Sequence, residues 1–172
     1  FGGEGYKVSG GLHGVGASVV NALSVYTKVE VHRDGGKFVQ EYARGKKKAS
    51  VKKVSASKLH GTIVTFEPDT EIFPEVIFDW NRIVGHLRQQ AYLVKGLRIR
   101  AIDASKVEGK IDLDSLFYFS EGDIEAPSFT FYFEGGLRSL IRFYNEFQTP
   151  IHKNVFYAEK ETEGVGVEIA FQ

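Results

Sequence analysis

The chain has 172 residues, of which 42% are hydrophobic, 26% are charged and 13% are aromatic. This composition is typical of a folded globular domain and excludes a chain that is disordered throughout. The 22 lysine and arginine residues balance 22 aspartate and glutamate residues. The chain therefore has no overall positive field that would draw it to nucleic acid or to an anionic membrane.

Several kinds of segment and site are missing from the sequence. No apolar run approaches the roughly 20 residues of a membrane-spanning helix, so we expect a cytoplasmic protein with no membrane partner. There is no cysteine, which excludes disulfides and thiolate nucleophiles. The five histidines are scattered and the acidic residues lack EF-hand spacing, so we expect no metal site. Because the chain also has no methionine, we expect a piece of a longer protein.

The first half of the chain is predicted to hold one short helix and three strands. A glycine-rich loop, residues 1–16, leads into a helix whose apolar positions recur at helical spacing and which ends near Ser24. Alternating residues then predict a hairpin over residues 27–42, with Asp-Gly-Gly at 34–36 where positive φ is needed. Residues 61–68 form the third predicted strand, which ends at a proline.

The second half is predicted to begin with a helix that Asp79 caps and that closes at Lys95 and Gly96. A later helix must end before Pro150, because the residue before a proline is pushed out of the helical region. An inserted hairpin or long loop is expected between these helices, with an apolar centre at residues 116–119. The other predicted elements are strands at 97–101 and 128–133, a helix at 137–144, and strands at 155–157 and 165–171.

The stretch from Arg44 to Lys58 is rich in lysine. Lysines of this kind can contact DNA phosphates. A run of charge is more often a solvated face, however, and no aromatic residues are interleaved with these lysines. We therefore expect a solvated surface here rather than a DNA contact.

The loop SGGLHGVG, residues 9–16, comes immediately before the first predicted helix. Backbone amides can converge in such a loop, and a helix N-terminus adds about half a positive charge, so the pattern favours a bound phosphate. On spacing alone, a tight glycine turn that only packs the helix remains an alternative. The glycine order does not match a dinucleotide fingerprint, and no Gly-Lys pair continues into the Ser or Thr of a P-loop.

The segment YKVSGGLHGVGASVVNALS, residues 6–24, resembles the glycine-rich ATP lid of the GHKL ATPases, in the form found in bacterial type II DNA topoisomerases. Gly61 and Thr62 resemble the later glycine-threonine box of that family. GGLRSLIRFYNEFQTPIHKNVFY, residues 135–157, resembles the junction between its ATPase and transducer domains. The resemblance covers almost the whole chain apart from residues 103–127.

This resemblance implies an α+β fold. Residues 1–148 would form an incomplete GHKL ATPase domain, a two-layer α/β sandwich with a mixed sheet and helices on one face. Residues 103–127 would be an insertion, and residues 149–172 would begin a transducer domain. The resemblance also implies that the N-terminal part of the ATPase domain lies upstream of Phe1.

The resemblance further implies a site for ATP. Tyr6 would lie against the adenine side of the lid, and Thr62 would help to position the adenine amino group through water. Arg33 would line the outer rim near the adenine, although a lone hairpin arginine is more often a solvated charge, and Thr62 has the alternative of an ordinary strand residue. The lid residues that would wrap the phosphates with backbone amides are Gly11, Leu12, His13, Gly14, Val15, Gly16 and Ala17.

ATP hydrolysis needs residues that the resemblance places outside this chain. The family's catalytic glutamate and metal-binding asparagine would lie upstream of Phe1, and its transducer lysine would lie beyond Gln172. We therefore expect no catalytic residue and no Mg²⁺ ligand in this chain, although the cofactors of the whole protein would be ATP and Mg²⁺.

The implied function is that of the ATP-binding part of a type II DNA topoisomerase. ATP binding would close a gate by homodimerisation, while double-stranded DNA and the family's A-type partner protein, in an A2B2 assembly, would complete the negative-supercoiling reaction. Two alternatives stay open: the paralogous enzyme that decatenates DNA, and a degenerate, non-catalytic nucleotide-binding module.

Overall fold

The computed structural model describes residues 14–107 and 125–172. They belong to two compact units, which divide between Ile77 and Phe78. The α+β class is confirmed, because helices and antiparallel sheets make up both units. The expected mixed sheet requires parallel strand pairs, however, and every strand pair among the described residues is antiparallel. The elements are α1 (Gly16–Ala22), β1 (Ser24–Arg33), β2 (Gly36–Ala43), β3 (Lys46–Lys47), β4 (Lys52–Ala56), β5 (Gly61–Pro68), α2 (Trp80–Leu93), β6 (Arg98–Ile102), β7 (Ser128–Tyr132), α3 (Leu137–Tyr144), β8 (Phe156–Thr162) and β9 (Val165–Phe171).

The expected domain organisation stays a prediction. The boundary after residue 148 falls inside the second compact unit, Phe78–Gln172. Most of the expected insertion, including its apolar centre at residues 116–119, lies outside the described residues.

The first unit is built on an antiparallel sheet in the order β3-β2-β1-β5, with β4 also paired to β2. The predicted hairpin is confirmed as β1 and β2, joined by Asp34 and Gly35 with φ of 51° and 72°. Two consecutive positive φ values match the right-handed twist of the flanking strands, which explains the Asp-Gly pair. The lysine-rich stretch, in which the sequence predicted no strand, forms the short strands β3 and β4.

Two buried carboxylates form ion pairs within the first unit, and neither of them was identified from the sequence. Glu30 on β1 is fully buried and lies 3.4 Å from Lys28 Nζ and 2.5 Å from Lys37 Nζ. Asp69, 2% exposed, accepts Arg44 Nε at 2.6 Å and the backbone N–H of Glu71 at 3.0 Å. Buried charges persist only when they are paired in this way.

The second unit contains the predicted long helix with its predicted cap. The Asp79 side chain accepts the Arg82 backbone N–H at 3.0 Å, which satisfies a free donor in the first turn. The helix α2 packs on the β6–β7 hairpin. The core of this packing is the buried set Ala91, Tyr92, Ala101 and Phe131, with the Tyr92 ring stacked on Phe133 at 3.8 Å between centroids.

A charged cluster links α2 to the β8–β9 hairpin in the same unit. Lys95 Nζ lies 2.8 Å from Glu159 Oε2 and 3.2 Å from Glu168 Oε1, and it also donates to the Tyr157 hydroxyl. The Lys95 stem runs directly over Gly136, where an added Cβ would come within 2.8 Å of Lys95 Cγ. Hydrogen bonding to Glu159 and Tyr157 raises the pKa of Lys95, and the bond from Lys95 lowers the pKa of Glu159.

The Lys95→Met variant should lose part of the acid sensitivity of the second unit. Because the folded pKa of Glu159 lies below its ordinary value of 4.5, its stabilising contribution is present above pH 4.5 and is lost as the pH falls through the lower folded value. The thermal unfolding temperature, measured between about pH 6 and about pH 3, should therefore fall less in this variant than in the parent chain. Lys160→Met, at an exposed position on β8, serves as the control. Parallel pH profiles for Lys95→Met and the parent chain would contradict the assignment.

Candidate functional site

A cavity of about 460 Å³ lies between α1 and one face of the sheet in the first unit. The strand residues that line it share a face, because the register pairs Thr27 with both Tyr42 and Phe66, and Val29 with Val64. The full lining is Ala17, Ser18, Val20, Asn21, Thr27, Val29, Tyr42, Val64 and Phe66.

Two polar atoms in this lining have no hydrogen-bond partner in the part of the chain that the structure describes. Asn21 Oδ1 and Thr27 Oγ1 are both buried, and neither has a partner among the described residues. A buried polar atom without a partner costs free energy, so a bound group or a water molecule at this wall would stabilise both oxygens. The remaining wall is mostly apolar, from Val20, Val29 and Phe66 among others. An apolar pocket with a few polar anchors suits a ring system with hydrogen-bonding edges.

The described part of the predicted lid borders this cavity. Gly14 has φ of 63°, a left-handed conformation that a glycine adopts without strain. The Val15 carbonyl accepts the Val19 N–H at 2.9 Å, Gly16 begins α1, and Ala17 lies in the cavity lining. Four other predicted site residues lie outside the described residues, namely Tyr6, Gly11, Leu12 and His13.

The structure places Thr62 and Arg33 further along the same face. Thr62 is paired with Val31 and lies two residues before Val64 on β5. At about 3.4 Å per residue, it therefore lies about 7 Å beyond the cavity wall. Its side chain is exposed. Arg33 ends β1 and pairs with its neighbour Asp34 at 2.9 Å, with 65% of its side chain exposed. The structure therefore brings Ala17 to the cavity and leaves Thr62 and Arg33 outside its lining.

Sequence reasoning missed most of the cavity. Asn21 lies within the quoted lid segment, yet its amide was not singled out. Alternation along β1 places Thr27 and Val29 on one face of that strand, and alternation along β5 places Val64 and Phe66 on one face of the other strand. Only the pairing of β5 with β1, across a separation of more than 30 residues, shows that these two faces form one wall.

Metal-binding clusters and membrane-spanning helices are both absent from the part of the chain that the structure describes. It contains no group of three or more His, Cys, Asp or Glu side chains that could hold a metal ion. The same residues include no helix that is long and apolar enough to cross a membrane.

Comparison with known proteins gives a consistent relationship. No protein-family model matches the chain. The DNA gyrase B subunit of Halalkalibacterium halodurans is 40% identical over the whole chain, and that of Clostridium acetobutylicum is 38% identical. The chain covers 24% of each of these relatives, and 38% of the DNA gyrase B subunit of Bacillus cereus, with which it shares 37% identity. It thus spans between about a quarter and two fifths of the relatives' length.

The fold agrees with this relationship. The crystal structure of the 43K ATPase domain of Thermus thermophilus gyrase B in complex with an aminocoumarin matches with a TM-score of 0.73 and 32% identity. The match covers 92% of this chain and 38% of that one. Because DNA gyrase B subunits match the entire sequence and a gyrase B ATPase domain matches the fold of 92% of it, the chain belongs to the DNA gyrase B family.

Proposed function

We propose that this chain is part of the ATP-binding region of an ATP-dependent type II DNA topoisomerase, a DNA gyrase B protein. The observation that carries the proposal is the likeness of 92% of the chain to a gyrase B ATPase domain. The cavity under α1 supports it, because Asn21 Oδ1 and Thr27 Oγ1 are buried there without partners among the described residues.

In this proposal, the lid and the cavity bind different parts of ATP. The lid residues Gly11, Leu12, His13, Gly14, Val15, Gly16 and Ala17 hold the phosphates through backbone N–H groups. The apolar wall receives the adenine ring, and Asn21 and Thr27 bond to its polar edge directly or through water. Tyr6 lies on the adenine side of the lid, Thr62 assists through water, and Arg33 stands at the rim.

The chemical step of hydrolysis is assigned to residues outside this chain. Transfer of a phosphoryl group to water needs an aligned nucleophile, and Mg²⁺ neutralises the developing charge when it is bound. Among the described residues, the cavity lining contains no carboxylate and no histidine that would serve as general base. The residues that the structure describes also contain no group of three or more His, Cys, Asp or Glu side chains that could hold a metal ion.

The 172-residue chain alone should therefore show no measurable ATP hydrolysis and weak nucleotide affinity at best. Isothermal titration calorimetry with a non-hydrolysable ATP analogue and a phosphate-release assay measure the two quantities separately. A dissociation constant in the low micromolar range would contradict this prediction. The full-length protein is the positive control, since both activities should be present there.

For the full-length protein, we propose that ATP binding drives homodimerisation of the ATPase regions into a gate. A ligand shifts such an equilibrium only through its higher affinity for one state, so the lid must contact ATP more closely in the closed state. The other partners would be double-stranded DNA and the gyrase A protein in an A2B2 assembly, and the reaction would be negative supercoiling. Supercoiling of relaxed plasmid by the reconstituted assembly tests this, whereas decatenation without supercoiling would indicate the paralogous enzyme.

A further inference from the structure

The lysine-rich stretch forms one edge of the sheet in the first unit. Both β3, which contains Lys46 and Lys47, and β4, which begins with Lys52 and Lys53, pair with β2 on the side away from β1. We call these four lysines the basic edge. No aspartate or glutamate occurs between Glu41 and Glu67, so the surrounding sequence contains no neutralising charge.

The ammonium groups of the basic edge are available. All four lysines are exposed, and none of their ammonium groups has an ion-pair or hydrogen-bond partner in residues 14–107 and 125–172. Arg44, by contrast, is held by Asp69 at 2.6 Å and by Glu71 at 2.7 Å. The four lysines therefore concentrate positive charge on one edge of a chain whose formal net charge is zero.

The spacing of the basic edge follows from the register of the strands. Lys46 lies opposite Ala43 and Lys53 lies opposite Phe38, so the lysines extend over six residues of β2, which are separated by five intervals. At about 3.4 Å per residue, this is a row about 17 Å long. One strand of duplex DNA carries a phosphate about every 3.4 Å along the helix axis, so the row matches about five base pairs. Flexible lysine side chains on both faces of an edge can reach such a row.

We infer that the basic edge, Lys46, Lys47, Lys52 and Lys53, is a contact surface for the phosphate backbone of duplex DNA, separate from the nucleotide site. The choice of DNA among polyanions rests on the proposed function. Lysines on an edge strand also prevent sheets from pairing edge to edge, which is the competing explanation. The solvated face expected from the sequence becomes a binding surface because the fold gathers two lysine pairs onto one edge.

The test compares two triple variants of the 172-residue chain that remove the same charge. K46Q/K47Q/K52Q alters the basic edge, and K106Q/K153Q/K160Q alters exposed lysines of the second unit. Fluorescence anisotropy with a labelled duplex of about 20 base pairs measures the affinity between about 50 and about 200 mM NaCl. The basic-edge variant should lose at least about tenfold in affinity at the lowest salt, and its log–log salt slope should fall by about 0.9 for each lost phosphate contact. The control variant should change by less than about twofold.

Four outcomes would overturn the inference. An equal loss in both triple variants would show an effect of net charge alone, and no loss in either would show that the edge does not bind DNA. If instead K46Q/K47Q/K52Q leaves DNA binding intact and self-associates in light scattering, the lysines protect the edge. Loss of binding to phosphatidylserine vesicles with unchanged DNA binding would assign the surface to a membrane.

Nucleotide binding is measured separately, so that the two proposals can fail independently. The basic-edge variant in the full-length protein should bind a non-hydrolysable ATP analogue as the parent does, because none of the three lysines lines the cavity. Loss of DNA binding with retained nucleotide binding supports the inference. If the full-length protein has no nucleotide affinity but its DNA binding depends on the basic edge, the proposed ATP site is contradicted and the inferred DNA surface is supported.

Discussion

Gly16→Val in the full-length protein should weaken binding of ATP by at least about 100-fold, a loss of about 2.7 kcal/mol, while the unfolding temperature stays nearly unchanged. Among the described residues, a Cβ on Gly16 would meet no atom within 4 Å apart from its chain neighbours and the backbone of its own helix, and this glycine is not in the positive-φ region. The folded chain therefore has room for the side chain. A phosphate drawn up against the backbone N–H groups would collide with the added methyl groups. Calorimetry with a non-hydrolysable analogue and differential scanning fluorimetry measure the two effects.

Two further variants sharpen this experiment. Gly85→Val, on α2, is a matched control because a Cβ there also meets nothing within 4 Å, and it should leave ATP binding unchanged. Gly14→Val should impair both properties, since φ of 63° strains a residue with a side chain by about 1–2 kcal/mol. Normal ATP-dependent supercoiling by both the Gly14→Val and Gly16→Val variants would refute the lid assignment.

Asp69→Ala should destabilise the first unit by about 2–4 kcal/mol. The Asp69 carboxylate is 2% exposed, and its loss would leave Arg44 Nε and the backbone N–H of Glu71 without their acceptor. Because half of the Arg44 side chain is exposed, water compensates part of the loss, which keeps the expected value below that of a fully buried pair. Urea unfolding followed by far-UV circular dichroism gives the change in free energy of unfolding.

The neighbouring carboxylate provides the control for this prediction. Glu71 also pairs with Arg44, at 2.7 Å, but its side chain is 74% exposed. Exposed ion pairs contribute little, so Glu71→Ala should cost less than about 1 kcal/mol. Equal destabilisation by Asp69→Ala and Glu71→Ala would show that burial of Asp69 does not decide its contribution.

Local patterns predicted most of the secondary structure. Helical spacing after Val15 and the Asp79 cap placed α1 and α2, and the Asp-Gly pair at 34 and 35 placed the turn between β1 and β2. These signals worked because a cap, a turn and an alternating face each depend on residues that are close in sequence. The lysine-rich stretch was expected to be only a solvated face, since charge without apolar alternation gives no local sign of β3 and β4.

The candidate site also has one part that local sequence patterns predicted and another part that depends on strand pairing. The pattern that we propose as the lid was recognisable from residues 6–24, because a glycine-rich helix approach is a contiguous pattern, and the comparisons bear out the family that it indicated. The cavity, the partnerless oxygens of Asn21 and Thr27 within the described residues, and the position of Thr62 outside the lining all depend on which strand lies beside β1.

By itself, the sequence determined the family, the order of most helices and strands, the turn chemistry and the glycine-rich approach to α1. Only the tertiary structure decided that β5 lies beside β1, that Glu30 and Asp69 are buried against cations, and that four lysines share one edge. The physical reason is that short-range conformational preferences act within a few residues, whereas strand pairing and burial depend on the free energy of contacts between segments that are far apart in the chain.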